Sequence, residues 1–170
     1  MKQGIFKWGI VLVLISLIIY AGFATYLWWD GEGKKNVIMS YASDLATIPL
    51  FELADAGLAF EYLMKHNDTD IILKERISIY SFHARTLSYS SNMLYTLTKD
   101  EKYRLFATAM KNIEDFFITA KNKPDSKKIL NNNLTVLRQI GDILKKYRSI
   151  NDLTYMDSEK LLELSNQLKL

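Results

Sequence analysis

A chain of 170 residues with no cysteine and a formal charge of +3 has neither disulfides nor thiolate chemistry available to it. Setting aside Lys2 and Lys7, which flank an apolar run, leaves 20 basic against 19 acidic side chains. That balance lacks the concentrated basic patch that nucleic acid or an anionic surface would select, and two prolines and seven glycines are too few to punctuate a many-stranded fold.

From Trp8 to Trp28-Trp29 no side chain is charged. At ~1.5 Å per residue that stretch covers about 30 Å, the thickness of a bilayer's hydrocarbon core. Trp8 at one end and Tyr26, Trp28 and Trp29 at the other match the aromatic belts of the two interfaces. A soluble core helix of this length would show a polar face, and this one shows none. Residues 1–29 are therefore expected to be a membrane anchor that meets the lipid bilayer through residues 8–29.

The alternative is a secreted helical protein with a cleaved signal peptide. Lys2 and Lys7 would form its basic region and Gly22-Phe23-Ala24 its small-x-small cleavage site. The apolar run continues past that site through Tyr26 and Leu27, which favours a retained span. By the positive-inside rule Lys2, Lys7 and the terminal amine draw the N-terminus to the cytoplasm, with Lys34 and Lys35 opposing. The expectation is a single-pass protein of the cell membrane with residues 30–170 extracytoplasmic.

A polar joint is expected at 30–34, where Asp30-Gly31-Glu32-Gly33 interrupts the apolar pattern. Beyond it, apolar residues recur at helical spacing. The first segment, about 35–65, carries Val37, Tyr41, Leu45, Ile48, Phe51, Ala54, Leu58 and Tyr62. Pro49 lies inside it and crowds the carbonyl of Leu45, so a kink or break is expected there. The second, about 70–98, has Leu73, Ile77, Tyr80, Ala84, Leu87, Ser91 and Leu94 in steps of four and three, the seam of a bundle helix.

The third segment, to about residue 120, presents Tyr103, Phe106, Met110, Ile113 and Phe117. The fourth, about 126–148, presents Leu130, Leu134, Leu137, Ile140, Ile143 and Leu144, and its first turns are expected to fray at Asn131-Asn132-Asn133. A tail helix from Asp157 carries Leu161, Leu164 and Leu168. Short connections favour antiparallel neighbours. The expected fold is all-α: a single transmembrane helix, an antiparallel up-down-up-down four-helix bundle over 35–150, and a short C-terminal helix within 151–170.

Little in this chain resembles catalytic machinery. Carboxylate-bridged metal sites in bundles require paired Glu-x-x-His segments, and none occurs. His-Glu-x-x-His, Gly-x-Ser-x-Gly and the phosphate-binding glycine loop are absent too. Glu52, Asp55 and Glu61 read as a solvated helix face. His66 falls in a turn, and His83 flanks the second helix's seam beside Tyr80, one heptad after Arg76. The expectation is a protein that is not an enzyme, with no cofactor, no metal and no nucleic-acid partner. Asn67 and Asn133 match the N-glycosylation sequon.

The second helix holds one more pattern. Ile72, Ile79, Phe82, Tyr89 and Met93 form a second apolar stripe centred about 160° from the first. One core requires one apolar face, so two opposite stripes mean two contacts. Either the tail helix or the bent first helix covers the second stripe, or Ile79, Phe82, Tyr89 and Met93 dock a protein partner or a second copy in a homodimer. Burying ~400 Å² of such surface would contribute on the order of 10 kcal/mol before the costs of association.

In layout, an anchor followed by a bundle resembles the ligand-sensing modules of membrane receptors. That resemblance implies an alternative, an extracytoplasmic small-ligand sensor using Tyr80, His83 or Arg76. The leading expectation is a scaffold or accessory subunit of a membrane or envelope complex.

Overall fold

The computed structural model describes the backbone of residues 2–66 and 69–170, and the side chains of 17–26, 28–66 and 69–170. Among the described residues every regular element is helical: α1 (Lys2–Ala54), α2 (Ala56–Lys65), α3 (Asp70–Thr98), α4 (Glu101–Asn122), α5 (Ser126–Leu144), a 3₁₀ turn (Ile150–Asp152) and α6 (Tyr155–Ser165). By contacts the chain divides into two units, Met1–Ile38 and Met39–Leu170.

By length and composition the N-terminal helix, over Leu17–Lys65, is long and apolar enough to cross a membrane. Tyr26, Trp28 and Trp29 are exposed, as are Leu17, Ile18 and Ile19. The stretch 30–34, expected as a joint, is helical. Lys34 Nζ lies 2.6 Å from Asp30 Oδ2 and Lys35 Nζ 3.7 Å from Glu32 Oε1. These pairs span one turn with the acid on the N-terminal side, and they offset part of the poor helix propensity of Gly31 and Gly33.

The second unit has its own core. Its opening stretch corrects the expected face of the first segment. Tyr41, Leu45, Ile48, Phe51, Leu58 and Tyr62 are exposed, whereas Ala42, Ala46, Leu50, Leu53 and Phe60 are buried. The reason is close approach. The hydroxyls of Ser43 and Ser149 share a hydrogen bond of 2.7 Å, which sets the alanine side of α1 against the turn that follows α5. Small side chains let backbones come together; a stripe of tyrosine, leucine and isoleucine there would hold them apart.

Pro49 is buried inside α1 without ending it. The break comes at Asp55, whose N–H donates to the Glu52 carbonyl at 3.2 Å in a tight turn. There α5 presses in: a Cβ on Gly141 would overlap the carbonyl oxygen of Ala54, and one on Gly57 would lie 2.8 Å from the Arg138 amide nitrogen. Arg138 also pairs with Glu61, and Lys145 Nζ lies 2.9 Å from Asp55 Oδ1. Two of the acids expected on a solvated face thus tie α2 and its entry turn to α5.

Helices α3 and α4 are separated only by Lys99 and Asp100 and pack along their lengths. Asp100 caps α4 by accepting from the Lys102 N–H at 3.0 Å. The pair runs antiparallel: Ser88 Oγ donates to the Ala107 carbonyl at 2.9 Å, and Tyr80 lies by Phe117 at 6.3 Å between ring centres. The expected inner stripes are buried in both, from Leu73 to Leu94 and from Tyr103 to Phe117.

The asparagine run in α5 does not fray. Asn133 is 2% exposed, donates to the carbonyls of Ile129 and Lys169 at 2.7 Å each, and accepts from the Lys169 N–H at 2.8 Å. Its amide clasps the chain's C-terminal end and satisfies itself. Helix α6 begins at Tyr155, earlier than expected, because Thr154 rather than Asp157 is its cap; Thr154 Oγ1 accepts from the Asp157 N–H at 3.1 Å. Leu161 and Leu164 are buried as α6 packs on α4 and α5.

Candidate functional site

Because α6 packs on α4 and α5, it does not lie over the second stripe of α3. Phe82 and Tyr89 remain 62% and 65% exposed, Ile72 and Met93 are also open to solvent, and Ile79 is half-buried. On the opposite side of the same helix Ile77, Ala84, Leu87 and Leu94 are fully enclosed. The internal coverings weighed for this stripe are therefore not what the fold supplies.

A charge sits inside the exposed stripe. Arg85 lies between Phe82 and Tyr89, and its Nε donates to Glu114 Oε1 on α4 at 2.5 Å. Glu114 is 3% exposed, and its other oxygen accepts from Lys111 Nζ at 3.0 Å. Burial alone would raise the Glu114 carboxyl; the hydrogen bonds and charges of Arg85 and Lys111 outweigh it and hold the group below the usual carboxylate range. The buried anion thus fixes the stem of a half-exposed guanidinium. An arginine pinned by Nε presents its outer edge to solvent in one orientation, between two exposed rings.

The neighbouring polar residues are less available. Tyr80 is buried against Phe60, ring centres 5.2 Å apart, and against Phe117. Burial raises its phenol above the ordinary value. His83 is half-buried beside Phe82, with Nδ1 enclosed and without a hydrogen-bond partner. Burial lowers its pKa against the opposing pull of the Glu52 charge. Arg76 is exposed. Of the residues named for a sensing cavity, Tyr80 is thus committed to the core.

Other candidates fall as follows. Tyr26, Trp28 and Trp29 are exposed on α1; the side chain of Trp8, like Asn67, lies outside the described residues. Asn133, with its amide enclosed, has no nitrogen free to carry a glycan. His66 is exposed and stacks on Tyr62 at 4.0 Å. Among the described residues no group of three or more His, Asp or Glu is placed to hold a metal ion. A cleft between α5 and α6 is lined by Asp142, Lys146, Asp157 and Lys160. Three of these are paired: Lys146 Nζ lies 3.3 Å from Asp157, which also accepts from Tyr147, and Lys160 Nζ lies 2.9 Å from Glu163.

Arg85 and Glu114 were not singled out in the sequence. Arg85 was within reach, because positions 82, 85 and 89 share a helix face. Glu114 was not: within Ile113-Glu114-Asp115-Phe116 nothing distinguishes the buried acid from the exposed one until α3 is laid alongside. Compared with known proteins, the chain matches no family model, no curated protein and no solved structure.

Proposed function

We propose that this protein is a membrane-anchored, non-enzymatic interaction module that binds another protein through the outer face of α3. The anchor is the N-terminal apolar helix, with the N-terminus cytoplasmic and residues 30–170 outside. The helices after it form an antiparallel up-down-up-down bundle whose rigidity displays the face. In this role the chain is a scaffold or accessory subunit of a membrane complex.

The observation that carries the reading is the exposure of Phe82 and Tyr89 around the pinned guanidinium of Arg85. Aromatic residues and arginine dominate the energetics of protein interfaces, because they combine large apolar area with directional hydrogen bonding. A guanidinium already ordered by Glu114 loses little rotamer freedom on binding. Its charge favours a partner that brings a carboxylate between apolar anchors.

The test is native mass spectrometry of the full chain extracted in mild detergent. Wild type is expected to carry a foreign subunit. The double variant Phe82→Glu, Tyr89→Lys is expected to lose it while keeping its helical content and melting temperature. A complex that survives these substitutions would reject the face.

A further inference from the structure

We infer that the cleft between α5 and α6 binds a small zwitterion, a molecule of zero net charge that carries both an ammonium and a carboxylate group. The cleft has a volume of about 530 Å³. Small-molecule sites occupy ~300–1,000 Å³ and form readily between the helices of bundles. Helical spacing sets the two walls: Asp142, Ile143 and Lys146 share one face of α5, and Asp157, Lys160 and Leu164 share one face of α6. The two helices run antiparallel, since Lys146 pairs with Asp157 near one end and Asn133 clasps Lys169 near the other. Ile143 and Leu164 are buried and give the cleft an apolar floor.

The class of ligand follows from charge. Two lysines and two aspartates line the cleft, and its other lining side chains, Gln139, Ile143, Leu164 and Gln167, are uncharged. The lining is therefore neutral as a whole. Lys146 Nζ lies 3.3 Å from Asp157 across the walls, and Asp157 also accepts from Tyr147, so that pair is closed on itself. Asp142, by contrast, makes no ion pair among the described residues, although three cations stand within about one turn of it on α5. Arg138 is drawn to Glu61, Lys145 to Asp55 and Lys146 to Asp157. Lys160 Nζ meets Glu163 of its own helix, with both side chains more than half exposed. A pair that open to water holds weakly and exchanges for another anion.

An available carboxylate on one wall thus faces an available ammonium on the other. A singly charged ligand satisfies one wall and lays its apolar end against the other's charge. A zwitterion satisfies both. Its ammonium meets Asp142, its carboxylate accepts from Lys160, and the methylene chain between them rests on Ile143 and Leu164. The site belongs wholly to the unit Met39–Leu170 and uses helices other than α3, so it stands whether or not the α3 face docks a partner.

The test is isothermal titration calorimetry on the full chain in detergent. Glycine, β-alanine, γ-aminobutyrate and ε-aminocaproate serve as probes of increasing charge separation, with hexanoate and hexylamine as singly charged controls. At least one of the zwitterions is expected to bind tenfold or more tightly than either control. Asp142→Asn and Lys160→Gln, both at exposed positions, are each expected to weaken that binding about tenfold, the loss of one charged hydrogen bond, at an unchanged melting temperature. Lys160→Arg is expected to retain it. No binding by any zwitterion, equal binding by a control, or binding that survives either neutral substitution would overturn the site.

Discussion

Helix α3 and the stretch of α1 from Met39 onward both carry apolar residues on opposite sides, and the fold chooses differently between them. In α3 the aliphatic stripe of Leu73, Ile77, Leu87 and Leu94 goes inside and the stripe with Phe82 and Tyr89 stays out. In α1 the bulky stripe stays out, and Ala42 and Ala46 are enclosed beside Leu50 and Leu53. Side-chain size alone does not decide burial. What decides it is which face the neighbouring element covers: α4 packs along the aliphatic face of α3, whereas the turn after α5 meets the alanine face of α1 closely enough for Ser43 to bond Ser149.

The sharpest way to break that comparison is a pair of truncations two residues apart on α3. Leu87→Ala is expected to cost about 3 kcal/mol, because Leu87 is fully enclosed and its loss opens a cavity. Tyr89→Ala is expected to change stability by no more than ~0.5 kcal/mol. Chemical denaturation of the dilute chain in detergent measures both, and equal costs would mean that the outer stripe is covered after all. On α1 the expected order of sizes reverses. Ala46→Leu should cost about 2 kcal/mol by overfilling a closed contact, while Ile48→Ala should fall within ~0.5 kcal/mol. A tolerated Ala46→Leu would show that the alanine side is loosely packed.

A smaller effect concerns the acid that orders the α3 face. The Glu114 carboxyl is held below its ordinary value in the folded chain, so its ion pairs stabilise fully above the ordinary carboxylate range. That contribution is lost as pH falls through the lowered folded value. Its cationic partners are half-exposed and hydrated, so the contribution is about 1 kcal/mol rather than the larger figure for an enclosed pair. Glu114→Gln is expected to flatten part of the acid limb of a stability–pH profile. Asp157, lowered first by its hydrogen bond from Tyr147, contributes to the same limb. An unchanged acid limb would remove Glu114 from this role.

Period was enough to read α3 and α4. Each seam residue from Leu73 to Phe117 that the spacing selects on them is enclosed, because both helices have an aliphatic or aromatic stripe broad enough to identify and a partner of matching length. Period failed on α1 because Ala42 and Ala46 carry almost no hydropathy signal, and their value lies in what they let approach. Asn133 misled for a related reason: its propensity is poor locally, yet its hydrogen bonds are made with Lys169, far along the chain. Likewise the Arg85–Glu114 pair joins two helices and leaves no mark in either one alone. The exposed stripe of α3 was legible as a second face; that the tail helix leaves it open was not.

The most direct test of the central claim, that the outer face of α3 docks another protein, is position-specific photocrosslinking of the full chain in its native membrane. A photoreactive side chain at position 82 or 89 is expected to yield one discrete adduct with the same foreign protein, while the exposed positions Lys128 and Glu159 yield none. No adduct from 82 and 89, or the same adducts from 128 and 159, would contradict the account.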